Sequence, residues 1–262
     1  MINLEEVAAL VKKWAREIGD LQKEKLAKKN FKVKTKSTKT DLVTEIDLLS
    51  EKIIREKIKA KFPQHNILGE ESHYTDNKSS YTWVIDPLDG TNNYANAYPI
   101  YAVSIALKKE NKTLMGVIYL PELDEMYYAI RGKGAYKGDS KIYISQKSEL
   151  ETALIATGFP YDKNDSKINN LAPLNIILPQ LRGIRRSGSA AFDLCSVASS
   201  RIDAFWEFKL KEWDYAAGLL IIKEAGGEVY QTEIEQSPLL IAGSKELVSK
   251  LRQKIEPIYI NT

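Results

Sequence analysis

Two aspartates stand three residues apart around a proline in "WVIDPLDGTNNY", residues 83–94, directly behind an apolar run. Asp-Pro and Asp-Gly are ordinary turn dipeptides, so a strand that ends in a tight bend would explain them. The alternative is that the strand brings Asp86 and Asp89 to one point, where their carboxylates hold a divalent metal ion. The backbone carbonyl of Leu88, which lies between them, could supply a further oxygen ligand.

Other acidic residues also stand at the ends of predicted elements. Glu70 and Glu71 of "ILGEES" follow a short apolar run, and Asp214 of "KEWDYAAG" stands at a predicted helix start. Taken singly, the glutamates could be solvated loop residues and Asp214 could be a helix N-cap. Taken together with Asp86 and Asp89, they offer the carboxylate oxygens that Mg²⁺ prefers.

The chemistry that this ligand set favours is phosphate chemistry. His65 and His73 do not have the spacing of a helical ligand pair, so the sequence disfavours zinc, and we predict both as surface or capping residues. The segment "GTNN" behind Asp89 offers backbone N–H groups to a phosphate if a helix begins there. The hydroxyl of Thr91 can orient a water molecule. The layout is typical of metal-assisted hydrolysis of a phosphate ester.

The elements that must position these residues fall into two groups. A long amphipathic helix is predicted near the N-terminus, and a second helix is predicted to start with a capping box of Thr44 and Asp47. The apolar stripe of this second helix reads Leu42, Ile46, Leu49 and Ile53. Short β-branched and aromatic runs then predict a largely antiparallel sheet, and strands alternate with helices in the second half. We therefore predict an α+β lobe over residues 1–145, with most metal ligands, and an α/β lobe over residues 146–262, with an interface between them.

The composition is that of a globular protein without a strong charge bias. The 262 residues are 44% hydrophobic and 28% charged, and the net charge of +3 does not by itself indicate nucleic acid. Residues 23–40 carry eight lysines and one glutamate, which fits either a solvated surface or the attraction of an anionic substrate. A single cysteine, Cys195, in an apolar helical pattern predicts a buried thiol in a reducing compartment. With neither a signal-peptide layout nor a membrane-spanning run, we predict a cytoplasmic protein without a membrane partner.

Several stretches together resemble the inositol monophosphatase family, within the lithium-sensitive, magnesium-dependent phosphatases. They are "GEES", "WVIDPLDGTNNY" and "EWDYAAGLLIIKEAGG", supported by "TDLVTEID" and "GIRRSGSAAFDLCSVASSRIDAFWEF". The resemblance covers nearly the whole chain. It implies a two-lobed, layered αβαβα sandwich of the inositol monophosphatase and fructose-1,6-bisphosphatase type, a homodimer, and inhibition by lithium.

The resemblance also implies roles for individual residues. One Mg²⁺ would be held by Glu70, Asp86 and the Leu88 carbonyl, and a second by Asp86, Asp89 and Asp214, while Glu70 would also help to hold a third ion and would take part in catalysis. Thr91, paired with Asp47, would orient or deprotonate the attacking water, and the N–H groups of Gly90 and Thr91 would receive the phosphate. The residues implied to contact the substrate are Lys36, Leu88, Asp89, Gly90, Thr91, Arg186, Gly188, Ser189, Ala190, Glu207 and Asp214.

The function that follows is hydrolysis of a small phosphorylated polyol or sugar, with myo-inositol 1-phosphate as the family's default substrate. Fructose 1,6-bisphosphate, NADP, 3′-phosphoadenosine 5′-phosphate and histidinol phosphate stay open, and Lys209 and Lys211 near the pocket rim leave room for a more anionic substrate. A different class of function is an accessory protein of RNA polymerase, which the lysine-rich segment supports. That segment has a single aromatic residue, Phe31, and so lacks the aromatic interleaving used for base stacking, which disfavours nucleic acid as a partner. A metal-binding structural protein would not need both Thr91 and Asp47.

Overall fold

The structure, a computed structural model, describes residues 2–28, 31–35, 42–162 and 166–260. The helices are α1 (Leu4–Lys28), α2 (Glu45–Lys61), α3 (Thr91–Ala95), α4 (Leu171–Ile177), α5 (Ala190–Ala198), α6 (Glu212–Glu224), α7 (Lys245–Ile255) and α8 (Pro257–Ile260). The strands are β1 (Val33–Thr35), β2 (Leu42–Thr44), β3 (Asn66–Gly69), β4 (Tyr81–Asp89), β5 (Ala102–Lys109), β6 (Lys112–Leu120), β7 (Glu125–Ile130), β8 (Ala135–Lys137), β9 (Ser140–Ile142), β10 (Leu154–Thr157), β11 (Gly183–Arg185), β12 (Ala204–Phe208), β13 (Glu228–Ile234) and β14 (Ser237–Gly243).

The larger sheet has seven strands in the order β3-β4-β5-β6-β7-β8-β9. Strand β3 pairs parallel with β4, and the other neighbours pair antiparallel, as predicted. Residues Ala102 to Leu107 of β5 are all buried, so side chains on both faces of the strand lack contact with water. Because such a strand needs a cover on each face, the sheet must lie between two layers of helices.

The first layer of helices is α1 and α2, which pack on the outer face of this sheet. The predicted stripe of α1 is confirmed, and its Trp14 lies 6.2 Å from the Trp83 ring of β4, measured between ring centroids. The start of α2 is also as predicted, since Thr44 and Asp47 form a capping box. The predicted stripe of α2 was wrong in part, because Leu42 belongs to strand β2.

The buried face of α2 is instead a mixture of apolar and polar residues. It comprises Ile46, Asp47, Ser50, Glu51, Ile54 and Ile58, while Leu49 and Ile53 are only partly buried. The carboxylate of Glu51 accepts from the N–H of Glu71 at 2.7 Å and pairs with Arg55 at 3.3 Å. The polar residues of this face are therefore satisfied by groups that the hydrophobic pattern does not reveal.

The middle layer is formed by α5 and α6, which lie between the two sheets. One hydrophobic cluster joins Val84 and Ala106 of the first sheet to Leu194 of α5, Ala217 of α6 and Phe205 of the second sheet. The two predicted lobes therefore share a core, and the boundary near residue 145 stays a prediction.

The second sheet has the order β11-β10-β12-β14-β13, with β10 parallel to β11 and β12. Helices α4, α7 and α8 cover its outer face through Ile177, Leu251 and Tyr259. The layers therefore alternate helix, sheet, helix, sheet, helix, which confirms the predicted αβαβα sandwich. None of the described helices is both long and apolar enough to cross a membrane.

Candidate active site

An irregularity in the pairing of β4 with β5 brings the two aspartates of "DPLD" to one side. Asp86 lies opposite Ser104 and Asp89 lies opposite Ala102, so three steps along β4 match two steps along β5. Side chains alternate between faces along a regular strand, so residues three apart would point in opposite directions. The extra residue of this β-bulge allows both aspartates to face the same side of the sheet. The Asp-Gly dipeptide favours a turn at Asp89, but strand β4 runs through this residue.

Asp214 completes the cluster from the second half of the chain. It occupies the first turn of α6, where its Oδ2 accepts from the backbone N–H of Lys211 at 2.6 Å. Asp86, Asp89 and Asp214 each present a carboxylate oxygen, and these oxygens lie within 4.8 Å of one another. Asp214 is therefore not the N-cap, which is Lys211, but the third residue of α6; one of its oxygens serves the helix start while the carboxylate also faces the cluster.

Asp89 is held by the middle layer of helices. Its Oδ2 accepts from the hydroxyl of Ser189 and from the N–H of Ala191, both at 2.6 Å. Ser189 is also the N-cap of α5, since its Oγ accepts from the N–H of Phe192 at 3.2 Å. The Ser189 side chain is therefore engaged with Asp89 and with its own helix, and its predicted contact with substrate stays a prediction.

The carboxylates repel one another in a buried setting. Burial, followed by the charges of the neighbouring carboxylates, raises the pKa of Asp86 well above the ordinary value for an aspartate. Burial and the nearby Asp89 likewise raise the pKa of Asp214. Glu70, which follows β3 and lines the same cavity, adds to the repulsion on both. A bound cation would relieve this repulsion, because a positive charge close to the carboxylates favours their ionised forms.

Thr91 and Asp47 meet beside the cluster. Thr91 is the first residue of α3 and is 6% exposed, and its hydroxyl donates to Asp47 Oδ1 at 2.7 Å. Asp47 is fully buried, and its Oδ2 accepts from the N–H of Thr44 at 2.9 Å. The pairing that the resemblance implied is therefore present, although the roles of the two residues in a reaction stay predictions.

Gly90 connects β4 to α3 in a conformation that other residues disfavour. Its φ of 98° lies in the left-handed region. A Cβ atom at this position would lie 3.0 Å from the carbonyl oxygen of Ile100 and 3.3 Å from the Cβ of Ser189. The glycine thus allows the chain to turn directly after Asp89 and to begin α3 at Thr91.

The metal-site carboxylates, Gly90 and Thr91 line a cavity of about 460 Å³. The predicted substrate residues Arg186, Gly188, Ala190 and Glu207 line it together with the metal-site carboxylates. Lys209 and Lys211 also line the cavity, as predicted for its rim. Lys36 lies outside the described residues.

Glu207 projects from β12 toward the strand that pairs parallel with it, β10. A Cβ atom on Gly158, just beyond the end of β10, would lie 2.2 Å from a carboxylate oxygen of Glu207, so only a glycine permits this approach. Burial, followed by the charge of Asp214, raises the pKa of Glu207 well above the ordinary value. The cavity thus has a second acidic region on the side of the smaller sheet.

Sequence reasoning missed Asp193 of α5. Asp193 is 2% exposed and lines the cavity. Burial raises the pKa of Asp193 to about 8. A hydrogen bond from Ser187 lowers the pKa but only partly offsets the effect of burial. The signal that could have found it is its spacing, because it lies three residues after Ala190 and so on the same face of the helix.

Sequence reasoning also missed the segment from Phe159 to Asp162, which lines the cavity beyond β10. Ligands commonly bind beyond the carboxyl ends of parallel strands, and β10 and β12 form such a pair. Lys209, after β12, fastens the segment because its ammonium donates to Asp162 at 2.6 Å.

The prediction of His65 as a surface or capping residue was wrong in part. His65 is partly buried, stacks on Tyr81, and accepts from the indole N–H of Trp83.

The donor set fits Mg²⁺. The described residues that line the cavity offer carboxylate and carbonyl oxygens and include neither histidine nor cysteine. Hard divalent cations take such oxygen ligands, whereas zinc sites use nitrogen and sulfur. The fit rests on the close approach of the three carboxylates of Asp86, Asp89 and Asp214.

The comparison with known proteins agrees with this chemistry. The model of the inositol monophosphatase family matches residues 3–259. The chain belongs to the inositol monophosphatase family. Members of this family are phosphatases, so the chain is a hydrolase of that class.

Individual relatives are similar over almost their whole length. The chain is 37% identical to a Haemophilus influenzae protein named "Nus factor SuhB", over 93% of each chain. It is 39% identical to an Aquifex aeolicus protein named "Fructose-1,6-bisphosphatase/inositol-1-monophosphatase", over 94% of each. The crystal structure of the extragenic suppressor protein suhB from Bartonella henselae superimposes with a TM-score of 0.88 at 35% identity and covers 96% of this chain and 98% of its own. The structural similarity to this relative therefore extends over the entire αβαβα sandwich.

Proposed function

We propose that this protein is a Mg²⁺-dependent phosphomonoesterase that hydrolyses a small phosphorylated polyol or sugar. The observation that carries the proposal is the convergence of Asp86, Asp89 and Asp214 within 4.8 Å in the cavity that Thr91 also lines. A structural metal site would not need a buried hydroxyl and its carboxylate acceptor beside the ligands. Metal-assisted hydrolysis uses both bound metal and a positioned water molecule.

The ligands would be shared between two to three ions. Glu70, Asp86 and the Leu88 carbonyl would hold one Mg²⁺, and Asp86, Asp89 and Asp214 would hold another. Glu70 would help to hold a third ion. Bound Mg²⁺ supplies Lewis-acid polarisation of the phosphate ester and of water.

The remaining chemistry belongs to the chain itself. Since the Thr91 hydroxyl gives its hydrogen to Asp47, its oxygen is left as an acceptor for a water molecule. This bond orients the water, and Asp47 can take the proton that the threonine passes on. The N–H groups of Gly90 and Thr91 would hold the phosphate in line with that water.

The alcohol part of the substrate would face the smaller sheet. Glu207, Arg186 and Ala190 line this side of the cavity, and carboxylate and guanidinium groups read hydroxyls through hydrogen bonds. We take myo-inositol 1-phosphate as the first substrate to test. Fructose 1,6-bisphosphate is the next, because Lys209 and Lys211 line the cavity and the Aquifex relative carries both activities in its name.

The test is release of inorganic phosphate from a substrate panel with Mg²⁺, with and without EDTA. The panel is myo-inositol 1-phosphate, fructose 1,6-bisphosphate, NADP, 3′-phosphoadenosine 5′-phosphate and histidinol phosphate. The Asp89→Asn variant should be inactive, and Asp139→Asn, a change at an exposed aspartate in the first sheet's last hairpin, is the matched control. Turnover that survives EDTA, or no turnover by folded protein on any substrate, would overturn the proposal.

A second function is supported by the relatives named as Nus factors, which points to an accessory role in transcription. The described part of the lysine-rich segment includes Lys32 and Lys34, both exposed. We propose RNA as the partner to test, in a gel shift at several salt concentrations. Lys34→Ala should weaken the shift, whereas Lys245→Ala on the far side of the sandwich and Asp89→Asn should not. Binding that is lost with Asp89→Asn would instead assign any RNA contact to the phosphatase site.

We also propose a homodimer and a cytoplasmic location. Large apolar side chains stay exposed on and near α3 and α4, namely Tyr98, Tyr161, Leu171, Ile176 and Leu178, and a second copy is the occupant that the resemblance implies. Light scattering should give twice the chain mass of 29.6 kDa. The buried free thiol of Cys195 supports a reducing compartment.

A further inference from the structure

Gln22 of α1 reaches from the outermost helical layer to the bulged end of β4, which carries the metal-site aspartates. It is fully buried, and its amide nitrogen donates to the carbonyl oxygen of Pro87 at 2.7 Å. The Gln22 backbone is fixed as well, because its own carbonyl accepts from the hydroxyl of Tyr94 at 2.8 Å. The side chain therefore joins α1 to the peptide unit between Asp86 and Asp89.

This bond completes the support of one peptide unit at both of its ends. The carbonyl of the Pro87–Leu88 peptide is held by Gln22, and its N–H donates to Asp86 Oδ1 at 3.0 Å. A peptide unit is planar, so fixing both ends sets the orientation of its plane. That orientation limits where the next carbonyl, that of Leu88, can point, because only the two backbone dihedrals of Leu88 lie between the two groups. It also determines how Asp86 is held, because Asp86 accepts from the same unit.

A packing role would not require an amide here. The Oε1 atom of Gln22 has no hydrogen-bond partner within the described residues, although it is buried. An unmade acceptor in the core is unfavourable, and an unbranched apolar side chain of similar length would avoid it. The other polar contact of the amide nitrogen, with Ser50 Oγ at 3.4 Å, is long. The bond to Pro87 is therefore the reason that the position holds a polar side chain.

We propose that Gln22 is a positioning residue for the metal site, which it serves by orienting the Pro87–Leu88 peptide and, through it, the Leu88 carbonyl and Asp86. This inference rests on the proposed function, since it assigns both groups to Mg²⁺. Groups that hold metal ligands in place commonly change metal affinity about tenfold to a hundredfold when they are removed.

The test is calorimetric titration of Mg²⁺ into metal-free full-length protein, together with melting temperatures measured without metal. Gln22→Met keeps the length of the side chain and removes the donor. It should weaken Mg²⁺ binding by about tenfold or more, while the metal-free melting temperature changes little, because the unpaired Oε1 acceptor is removed but the Pro87 carbonyl loses its donor. Ser50→Ala is the matched control: this residue is equally buried and touches the same amide, and Mg²⁺ affinity should not change.

The outcomes separate this inference from the function on which it rests. Wild-type protein that does not bind Mg²⁺ overturns the proposed function itself. Wild-type binding with unchanged affinity in Gln22→Met overturns only the role of Gln22. Weakening of Mg²⁺ binding by Ser50→Ala that equals the weakening by Gln22→Met would show that packing around the amide is responsible and would also overturn it.

Discussion

The hydroxyl of Thr91 and the carboxylate of Asp47 are joined across 44 residues of chain by a hydrogen bond of 2.7 Å. The bond links the first turn of α3 to the first turn of α2, so two helix starts meet at the cluster of aspartates. Asp47 serves both places, since one of its oxygens caps α2 and the other receives Thr91. This division gives the pair a fixed direction: the threonine donates inward to Asp47 and also lines the cavity.

We expect Thr91→Val to lower kcat by about 10²–10⁴-fold, because valine has the same shape but cannot pass a proton to Asp47. Thr91→Ser keeps the hydroxyl and should retain most of the rate. Steady-state phosphate release at saturating Mg²⁺ measures both. A valine variant that turns over within a few-fold of wild type would remove Thr91 from the mechanism.

Asp89→Asn should abolish turnover and leave the fold intact, because the change removes a metal ligand and not core packing. The amide oxygen can still accept a hydrogen bond from Ser189 or Ala191, and repulsion with Asp86 and Asp214 is reduced. The metal-free variant should therefore melt by circular dichroism at the wild-type temperature or above it. Collapse of the variant at ordinary temperature would contradict this expectation.

Asp193 should make the metal-free protein less stable as the pH rises. Its folded pKa of about 8 lies above the ordinary value of 3.8, so the folded state binds the proton more tightly than the unfolded state does. The stabilisation that protonated Asp193 contributes to folding is fully present below about pH 4, and it is lost as the pH rises toward 8. Asp193→Asn should remove this slope and stabilise the protein at pH 8 by a few kcal/mol, on the order of 1.4 kcal/mol per pKa unit. Denaturant unfolding at pH 5 and pH 8 measures it. Equal effects of the variant at both values would show that Asp193 does not titrate in this range.

Lithium should inhibit phosphate release at millimolar concentrations, as the resemblance to the lithium-sensitive phosphatases implies. A small monovalent cation that replaces Mg²⁺ among these carboxylates would supply less charge to the phosphate. Parallel titrations with LiCl and KCl separate this effect from ionic strength. Full activity at high lithium would place the protein outside the sensitive subgroup without changing the argument for a metal site.

The sequence located most of the acidic residues because element ends carry clear local signals. Glu70 follows Gly69 at the end of β3, and Asp214 lies in the first turn of α6, both as expected. The bulge at Asp86 and Asp89 was not predictable, since it depends on pairing with β5, a strand that begins at Ala102. A local pattern shows that two aspartates stand near a strand end, but only the partner strand decides which side they face.

The residues that sequence reasoning missed owe their position to packing. Asp193 reads as an ordinary polar helix residue, and only the placement of α5 between two sheets makes it buried. The stripe assigned to α2 was displaced for a similar reason, because Ser50 and Glu51 face inward and are satisfied there by tertiary partners. Apolar periodicity reports the preference of a helix for one face and does not report polar groups that find partners only in the assembled fold.

The middle layer of helices makes the site a joint product of both halves of the chain. The first sheet supplies Asp86 and Asp89, but Asp214 arrives on α6, and the N–H that steadies Asp89 arrives on α5. A fragment that ends at the first sheet would carry the aspartates of "DPLD" without a complete site. Any ion or substrate bound here would bridge the two halves and would favour their docked state over the separated one. Ligand binding and the cooperativity of unfolding are thus linked. The protein saturated with metal and substrate should unfold in a single transition, even if the two halves of the ligand-free protein separate before they unfold.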